Sequence, residues 1–390
     1  IYNVNGTSAS SNNIRIDGAS STNVWLPHMS AYVPALEAIE SVNVATSTFD
    51  AEQGLAGGSA VNVQIKSGTN NLHGSVFEYH NNNRTKAKPT FIGVGQDKPK
   101  LVYNQFGATV GGPVKRDKIF YFFAYEGTRN REFASRFLTV PTPAIKAGDM
   151  SASPNEIYDP LTGAANGTGR TAFPLKRVPA ARLDPIVQKI IPLIPNPTEP
   201  GLLTSNFYAN GGYIFDRDTF DAKVNWSVGS KLTMYARTSY LKYNMDNQQA
   251  FGELGGPEVS GAGGNPGHGF GHTYSSTLSA TYIATPNLVL DAYFGHTLMD
   301  TNVEQVGLDK KVGLDVLGIP GTNGPRRFEG GWPRFSVDSY ADLGVPNAFM
   351  PYYRHDPVFQ YVGNANWNKG THNIRFGADI YRQHHNHNQP

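Results

Sequence analysis

Residues Phe220-Asp221-Ala222-Lys223-Val224-Asn225-Trp226-Ser227-Val228 carry an apolar side chain at every second position and a polar one between. A period of two gives an extended strand two unlike faces, one apolar and one polar. Gly229-Ser230 turns the chain. Leu232, Met234, Ala236, Thr238 and Tyr240 then repeat the pattern against Thr233, Tyr235, Arg237 and Ser239. This spacing predicts an antiparallel hairpin of long amphipathic strands.

The same form returns along the chain. Residues 274–284 run into Thr285-Pro286-Asn287 and out through Leu288, Leu290, Ala292 and Phe294. Residues 359–367 run into Asn368-Lys369-Gly370 and out through Ile374, Phe376, Ala378 and Ile380. Residues 104–112 turn at 113–117 into Ile119-Phe120-Tyr121-Phe122-Phe123-Ala124-Tyr125, and a lone earlier strand covers 72–80. Nine strands are expected. Their connections alternate strictly: long loops near 81–103, 130–217, 243–272 and 298–356 are separated by short turns. In an up-and-down barrel alternate connections fall on opposite rims, so every long loop lies on one side. Short periplasmic turns and long extracellular loops are the bacterial outer-membrane pattern. A soluble sandwich or propeller also has alternating strands, but needs neither this rhythm nor four such loops. Single-chain bacterial barrels have even strand numbers, so nine strands read as an unfinished barrel that continues past the last residues. Phe220, Val224, Trp226, Leu232, Met234, Leu290 and Phe294 should then share the convex face, whereas in a sandwich they would pack against a second sheet.

Charge and composition narrow the rivals. Lys+Arg 33 against Asp+Glu 31 leaves a formal +2, without the basic stripe of a nucleic-acid binder. Cysteine is absent, which removes disulfides, thiolate metal sites and a Cys nucleophile. No window of about 18 apolar residues provides a transmembrane helix. A membrane remains open to this chain, because a spanning strand needs only about ten alternating residues. The chain starts at Ile1 with neither Met nor a leader, and reads as a fragment cut at both ends.

Residues 1–71 read differently. Asn13-Ile14-Arg15-Ile16-Asp17-Gly18 suits a short strand and turn, and Pro34-Ala35-Leu36-Glu37-Ala38-Ile39-Glu40 a short helix with Pro near its start. Ser41-Val42-Asn43-Val44 and Ala60-Val61-Asn62-Val63-Gln64-Ile65 are strands flanking the glycine-rich Gly54-Leu55-Ala56-Gly57-Gly58. The expectation is a small α+β unit.

Specific motifs recur in order along the chain, with the run from Glu37 to Gly127 the most specific. They include Ile16-Asp17-Gly18, then 34–44, Phe49-Asp50-Ala51-Glu52-Gln53-Gly54, Gly57-Gly58 and Lys66-Ser67-Gly68-Thr69-Asn70 followed by His73-Gly74-Ser75. Asn104-Gln105-Phe106-Gly107, Gly111-Gly112-Pro113, Lys118-Ile119-Phe120-Tyr121-Phe122, Tyr125-Glu126-Gly127, Val140-Pro141-Thr142 and Gly148-Asp149-Met150 continue the series. In these the sequence resembles TonB-dependent outer-membrane receptors, specifically the Oar-like group. The resemblance implies that 1–71 is the C-terminal part of a plug domain. It implies that 72–390 is the N-terminal part of a barrel, truncated at about nine of 22 strands. It further implies energy-coupled transport of a bulky solute, a glycan or peptide. The implied partners are outer-membrane lipid, the TonB complex (its contact segment missing from this chain) and the unknown solute, with no nucleic acid. Many receptors of the wider superfamily carry an Arg-Gly pair where Ala45-Thr46-Ser47 stands. No plug-to-barrel ion lock is therefore carried over.

Enzyme chemistry finds no foothold. His384-His385-Asn386-His387 lies where a loop should begin, with no carboxylate in register, and reads as coincidence rather than a metal ligand set. Gly261-Ala262-Gly263-Gly264 lies in a long loop, not at a strand–helix turn, and reads as a flexible segment rather than a dinucleotide fingerprint. Asp221, Asp291 and Asp379 alternate on polar strand faces, where a wet lumen accounts for them. Lys223, Arg237 and Arg375 share those faces and could tune the lumen field. No catalytic, cofactor or metal residue is named, and no cofactor is expected. The rivals are a passive porin-like channel, which would lack the plug-like unit, and a soluble carbohydrate-binding or adhesive β-protein, which would need no detergent.

Overall fold

A computed structural model describes residues 3–46, 49, 54, 56–88, 98–260, 266–345 and 350–389. The N-terminal unit is a four-stranded sheet of β1 (Asn12–Ile16), β2 (Ala19–Ser20), β3 (Ile39–Ala45) and β4 (Ser59–Ile65), in the order β2-β1-β4-β3. β1 runs parallel to β4, and the other two pairs are antiparallel. The helix expected from Pro34 narrows to one 3-10 turn, Leu36–Ala38. Ile39-Glu40-Ser41-Val42 behind it is drawn into β3, where β-branched residues pack well on a pleated surface.

Nine long strands follow: β5 (His73–Asn82), β6 (Leu101–Lys115), β7 (Ile119–Leu138), β8 (Phe207–Ser227), β9 (Leu232–Asn247), β10 (Gly267–Thr285), β11 (Leu288–Glu304), β12 (Tyr352–Lys369) and β13 (His372–Gln383). They pair in sequence order, every pair antiparallel. A short β14 (Asn386–Asn388) adds to β12 beyond the end of β13. The described sheet is open, with β5 and β13 at its edges. Side chains of β7, β8, β9, β11, β12 and β13 reach the one small N-terminal unit, so the sheet curves around it.

The strand count and the alternation of long and short connections agree with the sequence. The lengths do not. β7 and β8 run far into what the alternation marks as the loop near 130–217, which shrinks to 139–206. The period of two fades there because charges replace apolar residues on the outer face. Arg129 pairs with Asp218 at 2.8 Å and Arg131 with Asp216 at 2.6 Å across the two strands. Backbone pairing continues without a break, from Ile119 opposite Trp226 to Leu138 opposite Phe207.

The two faces are inverted relative to a soluble protein. Val224, Trp226, Leu278, Leu290, Phe294, Tyr361 and Phe376 lie exposed on the convex side, with no second sheet against them. Asp221, Arg237, Ser239 and Gln360 are buried on the concave side. Register fixes the upper limit of the apolar band. Tyr125, Phe220, Tyr240, Tyr274 and Leu298 sit directly opposite one another across five strands. One row further out the same alignment reads Asp218, Lys242, His272, Asp300, His355. On β12 the band runs from Pro357 to Trp367. That is roughly 33 Å of strand, or about 25 Å along a membrane normal at a tilt of about 40°. Aromatic residues edge it on both sides, the arrangement of a transmembrane barrel wall.

Candidate functional site

Chemically dense contacts gather where the N-terminal unit meets the concave wall. β1 and β2 are joined by Asp17-Gly18, both at positive φ (45° and 85°), the signs of a type I′ hairpin turn. A Cβ on Gly18 would sit 3.6 Å from the Tyr293 ring, so the turn is pressed against β11. The Asp17 carboxylate is buried between two wall cations. Lys223 Nζ donates to Oδ1 at 3.1 Å, and Arg237 Nε stands 3.5 Å from Oδ2 in an ionic contact. Lys223 also donates to the Ile65 carbonyl at 2.9 Å, and the Tyr235 hydroxyl to the Asp17 carbonyl at 2.8 Å. Hydroxyls of Ser239, Ser275 and Thr277 accept from the remaining Arg237 donors. Asp17 Oδ2 and Arg237 Nε face each other without a hydrogen bond, so their opposite charges hold that side of the cluster; removing one member leaves a buried charge uncompensated.

Three further contacts repeat the theme. Asp221, fully buried, accepts from the Tyr32 hydroxyl at 2.7 Å, the Ala35 amide at 3.1 Å and the Ser239 hydroxyl at 2.6 Å. Burial, then the neighbouring Asp221 charge, holds the Tyr32 phenol well above its ordinary pKa, so it remains a neutral donor. Glu126 accepts from the Leu36 amide at 2.9 Å, which satisfies the first turn of the 3-10 segment, and from Arg217 at 2.8 Å. Arg15 reaches Asp379 at 3.0 Å and the Tyr293 hydroxyl at 3.0 Å. Gln360 accepts from the Ser20 amide at 2.9 Å while donating to Asp379 and to the Tyr381 hydroxyl.

Nearer the long-loop rim the unit presents Trp25. Asn23 Oδ1 caps the Trp25 and Leu26 amides at 3.0 Å each and accepts from Arg354 at 3.1 Å. The Arg354 guanidinium lies 4.9 Å from the Trp25 ring and is paired with Asp356. Beside the unit, against β11–β13, is a cavity of about 780 Å³ whose lining includes Arg15, Asn62, Asp291, Tyr293, Asn364 and Arg375.

These positions revise several expectations. Asp221 and Asp379 are not solvated lumen carboxylates; both hold the N-terminal unit, while Asp291 lines the cavity and accepts from Thr281 at 2.6 Å. Lys223 and Arg237 face inward as expected, but both are paired with the Asp17 carboxylate rather than open to the lumen. No ion lock was carried over from the wider superfamily, and the structure holds a different one between the N-terminal unit and the wall. Its carboxylate comes from the N-terminal unit and its cations from the wall, without an Arg-Gly pair. The partners of Asp17 lie 206 and 220 positions away, beyond any local pattern; the one available signal was an unexplained Asp in the Ile16-Asp17-Gly18 motif. His385 sits 3.2 Å from Asp356, and His387 meets the edge of the Trp25 ring at 5.0 Å. Among the described residues no group of three His, Cys, Asp or Glu could hold a metal. The Gly261–264 segment lies outside the described residues.

A curved wall with its apolar face turned outward fits one comparison directly: the family profile described as outer membrane beta barrel domain matches residues 64–390. This chain belongs to that family. Its place is the bacterial outer membrane. Among curated proteins it is 30% identical over 142 residues to the TonB-dependent transporter Oar of Myxococcus xanthus, an alignment covering 35% of this chain and 13% of that protein. Among solved structures, the outer membrane transporter YddB from Escherichia coli superposes with a TM-score of 0.55 at 11% identity, covering 97% of this chain and 41% of that one. The siderophore receptor PirA from Acinetobacter baumannii gives 0.48 at 14% identity, over 97% and 41%. The YddB likeness shows the fold, and this outer-membrane barrel segment spans about two-fifths of that transporter's length. Oar and YddB are both named as transporters.

Proposed function

We propose that this chain is part of a TonB-dependent receptor of the Oar-like group that moves a bulky solute, a glycan or peptide, across the outer membrane. In this reading residues 1–71 are the C-terminal part of the plug and 72–390 the first strands of a barrel that further strands complete. The observation that carries it is the buried latch between Asp17 and Lys223/Arg237, joined by Asp221, Glu126 and Arg15–Asp379. A folded unit held across the lumen by paired charges is what a gated transporter needs, and what a passive porin-like channel lacks. The exposed apolar band weighs against a soluble carbohydrate-binding or adhesive β-protein. Energy coupling and the TonB complex as partner enter through the similarity to Oar.

Planar-bilayer recording on the full-length product tests the gate. The intact protein is expected to give no steady conductance, and deleting 12–65 from it should open a large pore. Steady ohmic conductance of the intact protein would favour the porin. Coupling is tested by retention of labelled glycan and peptide digests in cells with and without an intact TonB complex. Retention that persists without TonB would overturn it.

A further inference from the structure

Three of the long connections do not behave as separate loops in the fold. Val140 and Ile190 on the first, Phe251, Leu254 and Val259 on the second, and Val312, Leu317 and Leu343 on the third form one buried apolar cluster, completed by Leu138 of β7 and Ala209 of β8. Backbone bonds tie the segments crosswise. The Ala341 amide donates to the Thr139 carbonyl at 2.9 Å, Gly344 to Leu254 at 2.7 Å, and Gly256 to Gly344 at 2.9 Å. Lys189, at the end of the short helix Pro185–Ile190, donates to the Leu317 carbonyl at 3.0 Å and the Val316 carbonyl at 3.3 Å. Gly255, at φ 78°, packs so tightly that a Cβ would stand 2.2 Å from the Gly344 carbonyl oxygen.

The cluster is also aimed inward. Leu138, Ala209 and Gly211 share the strand faces that carry Glu126 and Asp221 lower down, and Val259 packs directly on Gly211. The joined segments therefore fold over the mouth of the wall. Among the described residues the fourth long connection, 83–100, gives nothing to this core.

We propose that 139–206, 248–260 and 305–345 form a single cap over the lumen that opens as one cooperative unit, so that a solute enters by lifting the cap rather than by parting independent loops. A shared core makes this the expected mode: exposing any one segment strips apolar surface from the other two, which couples their opening. The inference goes beyond transport itself and stands whether the complete protein is a pump or a pore.

Hydrogen exchange on the full-length protein in detergent tests it. Leu317→Ala hollows the core from the third segment only. Protection is expected to fall together in all three segments, on the order of tenfold or more, while 274–284 in the wall stays protected. Loss confined to 305–345 would overturn the proposal. Should that variant fail to reach the membrane, Lys189→Met removes only the cross-segment bonds and leaves no cavity. It should raise exchange in both 139–206 and 305–345; a rise in 139–206 alone would overturn the cap as a unit.

Discussion

β8 obeys two opposite rules along its length. Between Thr219 and Trp226 its inward side chains are Asp221 and Lys223, buried against the N-terminal unit, while Phe220, Val224 and Trp226 face outward. Between Phe207 and Asp218 the pattern flips: Ala209 and Gly211 face an apolar cap inside, and Asp216 and Asp218 carry arginine pairs outside. The backbone does not change at the crossing. What changes is the medium on the convex side, hydrocarbon below the Phe220 row and water above it. In hydrocarbon the outer face must be apolar, so specific binding of the inner unit falls to buried charges. Above it, an ordinary apolar core can do the holding.

The largest effect is expected at the charged floor. Asp17→Asn would leave Lys223 and Arg237 buried together without their anion, at a cost of about 3–5 kcal/mol. Limited proteolysis of the full-length protein should then cut within 12–65 while the wall stays intact. If the unit remains as protected as in the parent, the latch holds nothing and the contrast between floor and cap collapses. Replacing all three residues with neutral side chains of similar volume should recover much of the loss, because the penalty lies in the unpaired charge.

The outer face gives a paired test. Leu278→Arg, within the apolar band, should cost about 2–4 kcal/mol in urea-titrated folding into vesicles. Asn244→Arg, two rows above the band and opposite Asp216, should cost close to nothing. Equal costs at the two sites would mean that the Tyr240 row is not the membrane boundary.

Much of this wall was legible from residues alone, because a side chain's face depends only on its parity along the strand. Phe220, Val224, Trp226 and Leu290 could be assigned outward without knowing what lay beyond them. The floor was not legible. Asp221 and Asp379 have the same parity as any solvated lumen carboxylate, and only the arrival of Tyr32 and Arg15 from far upstream distinguishes them. The upper strands were hidden for a related reason. Once both faces are covered by protein or water, Arg129, Arg131, Asp216 and Asp218 no longer alternate with apolar residues, and a paired strand reads as loop. The cap was invisible because its core draws single residues such as Ile190, Leu254 and Leu317 from connections with no shared period.

A smaller change tests how the floor is shared among its contacts. Tyr32→Phe removes one donor from the buried Asp221 and leaves the Ala35 amide and Ser239 hydroxyl in place. A hydrogen bond to a charged group contributes about 1.5–3 kcal/mol, so the loss should be visible but well below that of Asp17→Asn. Proteolytic release of the N-terminal unit at intermediate urea measures it. A loss as large as that at Asp17 would make Asp221 the principal anchor and the ion cluster secondary.

The smallest effect belongs to the cap, where charges decorate an apolar core instead of holding it. The Arg182 side chain beside Asp159, then the Leu161 amide, holds that carboxyl below the ordinary aspartate range. A depressed acid contributes its stabilisation above its ordinary pKa and loses it as pH falls through the lowered value. The turn at 157–172, closed by the bridge between Tyr158 and Ala172, should therefore keep its form at mildly acidic pH and loosen only in stronger acid. Arg182→Ala should move that loosening to higher pH, read by protease cleavage within 157–172 across a pH series with an acid-tolerant enzyme. The N-terminal unit and the Leu317 core should not respond, because neither depends on this pair. A cap that came apart as a whole when Asp159 titrated would place surface charge above apolar packing there, and the outer half would then follow the same rule as the floor.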